Sequence, residues 1–216
     1  GKTDNDPVQL DALGTGGFAI HGAATDDFAG GSVSGAGDFN GDGLADVVIG
    51  AQRADPNGTS SGTSYVVYGK GDSGTVELSS LGDAGLIMHG GARSSHSGHS
   101  VSGAGDVNGD GLADVLVGAY GANGDAQDSG VSYVVFGRQA PGVIQLATGL
   151  GNGGFAIFGA AAIDAAGREV SAAGDVNGDG LSDLLVLADQ TDTQGSDSGT
   201  AYVVYGKTDS ATVHLG

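Results

Sequence analysis

Asp38-Phe39-Asn40-Gly41-Asp42-Gly43-Leu44-Ala45-Asp46 runs straight into Val47-Val48-Ile49, and the pattern Asp-X-Asn-Gly-Asp-Gly-Leu-X-Asp returns at Asp106 and Asp175. Successive copies start 68 and 69 residues apart. Runs such as Val47-Val48-Ile49 and Val115-Leu116-Val117 are continuously apolar, as expected of strands buried on both faces between neighbouring sheets. An acidic loop feeding a buried strand at a fixed period predicts a repeat protein.

A second marker keeps the same step. Ser64-Tyr65-Val66-Val67-Tyr68-Gly69-Lys70 recurs as Ser132 to Arg138 and as Ala201 to Lys207. A weaker third marker, Gly17-Phe18-Ala19-Ile20-His21-Gly22, is echoed at Gly85 to Gly90 and at Gly154 to Gly159. Between glycine-rich turns the first copy carries strand-like runs at Phe18 to His21, Ser32 to Gly35, Asp46 to Ile49 and Ser64 to Tyr68, which predicts one four-stranded antiparallel sheet per repeat. No segment shows an amphipathic helical period. Small residues such as Gly35, Ala36, Gly103, Ala104, Ala172 and Ala173 would let strands crowd toward a central axis. The ends are in permuted phase, because Gly1-Lys2-Thr3-Asp4 resembles Gly206-Lys207-Thr208-Asp209. The expectation is three units, approximately 1–70, 71–138 and 139–216, taken from a longer array or ring.

Composition limits what such a chain can do. With 39% hydrophobic residues among 216 it can build a core, and its 45 glycines follow no Gly-X-Y period. Acidic residues outnumber Lys and Arg 26 to 7, giving a formal charge of -19 that repels phosphate backbones and anionic membranes. Nucleic acid is therefore not an expected partner, nor is membrane insertion, since no apolar run approaches a span. With no cysteine there is neither a disulfide framework nor a thiolate metal site. Gly1 to Asp6 lacks the apolar core of a signal peptide, so the expectation is a mature protein, an excised segment or a cytosolic protein, and the permuted ends favour excision.

The acidic loops supply what this charge needs. Calcium takes six to eight oxygen ligands in flexible geometry, and carboxylates on alternate residues of a tight loop can converge on one ion. The candidate ligands are Asp38, Asn40, Asp42, the Leu44 carbonyl and Asp46; then Asp106, Asn108, Asp110, the Leu112 carbonyl and Asp114; then Asp175, Asn177, Asp179, the Leu181 carbonyl and Asp183. About three calcium ions are expected, one per loop. An EF-hand would place Glu at its twelfth position, where this chain has Ile49, Val117 and Val186. Without metal, the same residues would form Asx-turns holding hairpins.

On these motifs the chain resembles the FG-GAP repeat family, the calcium-binding repeats of integrin α-subunit propellers and many bacterial surface proteins. The shared core, Gly-X-Ser-Val, then the acidic loop, then apolar residues and Gly-Ala, stands at Gly30 to Ala51 and Gly98 to Ala119. In the third copy Glu169 replaces Ser and Leu187 replaces Gly. The resemblance implies an all-β fold of β-propeller blades, with the calcium loops joining first and second strands on the lower face. It also implies a protein or glycan ligand on the upper face, at the turns 23–29, 91–97 and 160–166 and the loops 52–61, 120–130 and 189–199. Function by resemblance is a calcium-stabilised module for adhesion or protein binding, extracellular or on the cell surface, with calcium structural.

No catalytic set emerges, and an enzyme is not expected. His96 and His99 could hold a metal but have no counterpart in the other copies, and Arg168 beside Glu169 reads as an exposed ion pair. Tyr65, Tyr133 and Tyr202 repeat in one strand, which packing explains. The alternatives are a lectin-type propeller or the scaffold of a larger secreted enzyme. Propellers have about four to eight blades, so three blades imply a partial ring, and a homodimer would give a six-blade ring.

Overall fold

The computed structural model describes residues 9–10, 13–196 and 198–216. The Gly1 to Asp4 resemblance lies outside these. In chain order the strands are β1 (Ile20–His21), β2 (Ser32–Gly37), β3 (Asp46–Ala51), β4 (Thr63–Val67), β5 (Val76–Glu77), β6 (Gly85–His89), β7 (Val101–Gly105) and β8 (Asp114–Ala119). There follow β9 (Val131–Val135), β10 (Gly142–Gln145), β11 (Gly154–Phe158), β12 (Glu169–Gly174), β13 (Asp183–Ala188), β14 (Thr200–Val204) and β15 (Val213–His214). The fold is all-β, with only short 3-10 turns besides.

Two sheets are complete blades, ordered β10-β6-β4-β3-β2 and β15-β11-β9-β8-β7. The first four strands from the β2 or β7 side are antiparallel, as expected. The structure adds a fifth: β10 joins β6 in parallel and β15 joins β11 in parallel. A third sheet holds only β12-β13-β14, and β1 pairs only with β5, in parallel. By register β1 is equivalent to β6 and β11, so the chain carries the outer rim of one blade, two whole blades and the inner three strands of another. No ring closes among the described residues.

The core lies between blades. Phe39, Val48, Val66, Leu86, Met88 and Leu146 of the first blade meet Val101, Val115, Val117 and Tyr133 of the second. Leu116, Val134, Phe155 and Ile157 then meet Val170, Leu184, Val186 and Val204 of the third sheet. This is why β3, β4, β8 and β9 are apolar or small on both faces: every residue of β4, β8 and β9 is buried.

Neighbouring blades approach closely at glycine. A Cβ on Gly50 would lie 2.0 Å from the Gly98 carbonyl oxygen, and one on Gly118 would lie 2.0 Å from that of Gly167. Gly118→Ala should therefore push two blades apart, at a cost of about 3 kcal/mol for overpacking a joint of backbone. The urea midpoint should fall with an unchanged slope; a parental midpoint would contradict the joint.

Candidate metal centre

Each acidic loop begins at a bulge. The β2–β3 register shifts between Gly35 and Gly37, the β7–β8 register between Gly103 and Gly105, and the β12–β13 register between Ala172 and Gly174. Gly37, Gly105 and Gly174 have φ of 66°, 73° and 71°, a left-handed conformation that turns the chain out of the sheet. The loops thus join the first and second strands of each sheet.

Within the first loop, Asp38 Oδ1 accepts from the Gly41 and Asp42 N–H groups at 2.8 and 3.0 Å, and Oδ2 accepts from Gly43 N–H at 2.9 Å. Asn40 Oδ1 accepts from Asp42 N–H, Asn40 Nδ2 donates to Asp42 Oδ2, and Asp42 Oδ1 accepts from Leu44 N–H. Loop two repeats these bonds with Asp106, Asn108, Asp110 and Leu112. Loop three repeats them with Asp175, Asn177, Asp179 and Leu181. The alternating side chains are held by amides of their own loop.

The closing aspartates have a second role, which the sequence reading missed. Asp46, Asp114 and Asp183 are buried. Asp46 Oδ2 accepts from Phe39 and Asn40 N–H, while Oδ1 accepts from Gly69 N–H at 2.7 Å, just past the end of β4. Asp114 likewise joins Val107 to Gly137, and Asp183 joins Val176 to Gly206. Each carboxylate ties its loop to the far end of the third strand. Burial pushes the Asp114 carboxyl up to about 7, opposed by the Gly137 and Val107 amides and reinforced by Asp110 and Asp106. Burial raises Asp46 as well.

The loop side chains converge on backbone amides, and among the described residues no group of three or more His, Cys, Asp or Glu is placed so that it could hold a metal ion. The donor set nonetheless fits calcium. All donors are hard oxygens, and both carboxylate oxygens of Asp42, Asp110 and Asp179 accept a single hydrogen bond and keep a second lone pair. None of the ion pairs formed by described Lys, Arg or His residues reaches a loop carboxylate. Each loop therefore carries three carboxylates with no ion-paired counter-charge among the described residues.

The loops also stitch blades together. Ala113 N–H donates to the Asp38 carbonyl and Arg138 N–H to the Phe39 carbonyl, at 3.1 and 2.8 Å, both across the first joint. At the second joint Ser182 N–H bonds the Asp106 carbonyl and Lys207 N–H the Val107 carbonyl, both at 2.9 Å. Phe39 and Val107 are fully buried, while their counterpart Val176 is 57% exposed on the open side of the third sheet.

The other strand ends carry the turns and loops expected to face a ligand. They form one hydrogen-bonded belt: His96 N–H bonds the Ser60 carbonyl, Gly121 N–H that of Ser95, and Ile163 N–H that of Gln127. His96 stacks on Tyr120 with ring centroids 5.0 Å apart, and His99 meets Tyr120 edge-on while hydrogen bonding Gln52. Burial lowers the pKa of both imidazoles. They pack as aromatic partners. Arg168 pairs with Asp189 at 3.4 Å and lies over Tyr120, which corrects the expected pairing with Glu169. A cavity of about 650 Å³ opens on this face between the blades, with Arg93, Asn123, Gln127 and Tyr133 among its walls.

A family model described as FG-GAP repeat matches residues 29–67, 97–135 and 166–204, together more than half of the chain. Integrin alpha pat-2 of Caenorhabditis briggsae is 39% identical over 89 residues, 41% of this chain and 7% of that protein. Integrin alpha pat-2 of Caenorhabditis elegans is 41% identical over 90 residues, again 41% of this chain and 7% of that protein. The match thus spans a small part of either relative.

Proposed function

This chain belongs to the FG-GAP repeat family, and from that premise we propose that it is a calcium-stabilised propeller module that presents its upper loop belt to a protein ligand outside the cell. Calcium is structural in this reading. The residues that would hold it are Asp38, Asn40, Asp42, the Leu44 carbonyl and Asp46, with their counterparts in the other two loops. Bound there, the ion supplies the positive charge that three confined carboxylates lack. The chain's own part is to convert loop order into blade order.

The observation that carries the reading is the stitching itself, since the carbonyls at Asp38, Phe39, Asp106 and Val107 bond the next blade. An ordered loop holds those acceptors in place, which fixes the blade joint and with it the loops at the opposite strand ends. The similarity to integrin α chains supports adhesion as the use of that face. Catalysis is not part of the proposal.

Cell attachment to surfaces coated with the chain should require calcium and fall on adding EDTA. Arg93→Ala and Tyr120→Ala on the loop face should each reduce it about tenfold, as losses at interface anchors of these residue types do. Attachment that is indifferent to both substitutions and to EDTA would refute the reading. Selective binding on a glycan array would favour a sugar ligand, for which the polar cavity beside Tyr133 is the supporting feature.

A further inference from the structure

Six of the seven asparagines in this chain are followed by glycine: Asn40, Asn57, Asn108, Asn123, Asn152 and Asn177. Such a pair is chemically labile, because the glycine nitrogen can attack the asparagine side-chain carbonyl and glycine has no side chain to hinder the approach. In a folded chain the outcome depends on how firmly the nitrogen and the carboxamide are held.

Five of the pairs are held firmly. Gly41, Gly109 and Gly178 N–H donate to the first aspartate of their loops at 2.8, 2.7 and 2.7 Å, and that negative charge also opposes loss of the proton. The asparagines beside them are fixed through both side-chain polar atoms. Gly153 N–H donates to the Leu150 carbonyl at 2.7 Å. Asn57 donates through Nδ2 to the Gly90 carbonyl and to Gln145 Oε1, at 2.7 and 2.6 Å.

Asn123 differs from all of these. It is exposed in the loop after β8, and its Nδ2 has no hydrogen-bond partner among the described residues. Gly124 N–H donates to Ser129 Oγ at 3.1 Å, a hydroxyl that it shares with Ala126 N–H. The one bond that Asn123 makes favours reaction: its Oδ1 accepts from Asp128 N–H at 2.9 Å. That oxygen gains charge when the glycine nitrogen attacks, so a fixed donor there stabilises the developing oxyanion.

The fold both requires the reactive neighbour and accommodates the product. A Cβ on Gly124 would lie 2.9 Å from the Gly130 carbonyl oxygen and from Ser129 Oγ, so a larger residue is excluded. The positions equivalent to Asn123 in the other repeats are Asp55 and Asp192, followed by Pro56 and Thr193. Asp55 Oδ1 accepts from Ser60 N–H at 2.6 Å, which is the same bond made by a carboxylate. An aspartate at 123 therefore enters a setting that the first repeat already uses.

We infer that Asn123 is a site of spontaneous deamidation, which turns one wall of the upper-face cavity into a carboxylate. The Gly124 nitrogen, its proton passed to hydroxide, bonds to Asn123 Cγ. The bond from Cγ to the side-chain nitrogen breaks, and that nitrogen takes a proton from water and leaves as ammonia. Water then opens the five-membered imide. Cleavage of the new bond between nitrogen and Cγ gives aspartate; cleavage on the side of the Asn123 main-chain carbonyl gives isoaspartate. Either product sets a third carboxylate beside Asp125 and Asp128 in a cavity where Arg93 is the one Lys or Arg among the walls. The cavity's preference thus moves from anions toward cations as the protein ages. The reaction needs only this chain and water, so it stands apart from the reading of that face as a ligand site.

Held at mildly alkaline pH and body temperature, the folded chain should accumulate a more acidic form on anion exchange, heavier by the difference between water and ammonia. Peptide mapping should place the change at Asn123 ahead of the other five pairs. Asn123→Gln with parental circular dichroism should lose this early acidic form, because its longer side chain must close a larger ring. An Asn123 that stays intact while the urea-unfolded chain deamidates at its Asn-Gly pairs would overturn the proposal. So would earlier reaction at any other pair, or an acidic form that appears as fast in Asn123→Gln.

Discussion

Adding excess EDTA to the calcium-loaded chain should lower its melting temperature by on the order of 10 °C or more. A ligand at about 100 times its Kd stabilises a folded state by about 2.7 kcal/mol per site, and about 1 kcal/mol moves the melt of a domain this size by about 2–4 °C. Three loops acting together place the expected effect well above measurement error. The direction follows from geometry, because the loop carbonyls bond the next blade. The third loop should contribute least, since Val176 is exposed where Phe39 and Val107 are locked between blades. Differential scanning calorimetry with calcium restored after chelation checks the effect, and an unchanged melt would contradict it.

Asp114→Ala and Asp110→Ala should separate the two roles of the loop aspartates. Asp110 is exposed, and its carboxylate serves only its own loop through Leu112 and Asn108. Its loss should lower stability in calcium but barely in EDTA, and should leave the fold intact because repeats distribute stability over units and joints. Asp114 is buried and accepts from the backbones of Val107 and Gly137. Alanine there strands the buried Val107 N–H and the half-buried Gly137 N–H, at about 1–3 kcal/mol for a fully buried donor, so roughly 2–4 kcal/mol should be lost with or without calcium. Urea unfolding of both variants in both conditions provides the comparison. Equal behaviour of the two in EDTA would show that Asp114 is no anchor.

Much of the architecture was legible because the repeat carries independent markers in register. The apolar runs after Asp46, Asp114 and Asp183 became the second strands, and Ser64 to Val67 and its copies fell in the third. Less visible were the fifth strands. Val76–Glu77 and Val213–His214 are two residues long and Gly142–Gln145 only four, too short for alternation to be read, and their parallel pairing is a product of tertiary packing. The partner of Arg168 was misread because neighbours in an extended chain point to opposite faces, so Arg168 turns to Asp189 across the sheet rather than to Glu169. The Tyr120 cluster escaped for a related reason. His96 and His99 lie in the turn before β7, Tyr120 follows β8, and only the fold brings them together. The anchoring role of Asp46 is equally hidden, since Gly69 is 23 residues away in sequence.

The most direct measurement of the central claim is the number of calcium ions bound per chain, by isothermal titration calorimetry into metal-stripped protein. Saturable binding of two to three ions is expected, with one lost in Asp106→Ala and another in Asp38→Ala. No saturable binding at millimolar calcium would leave the loops as Asx-turns held by their own amides, and would contradict the account.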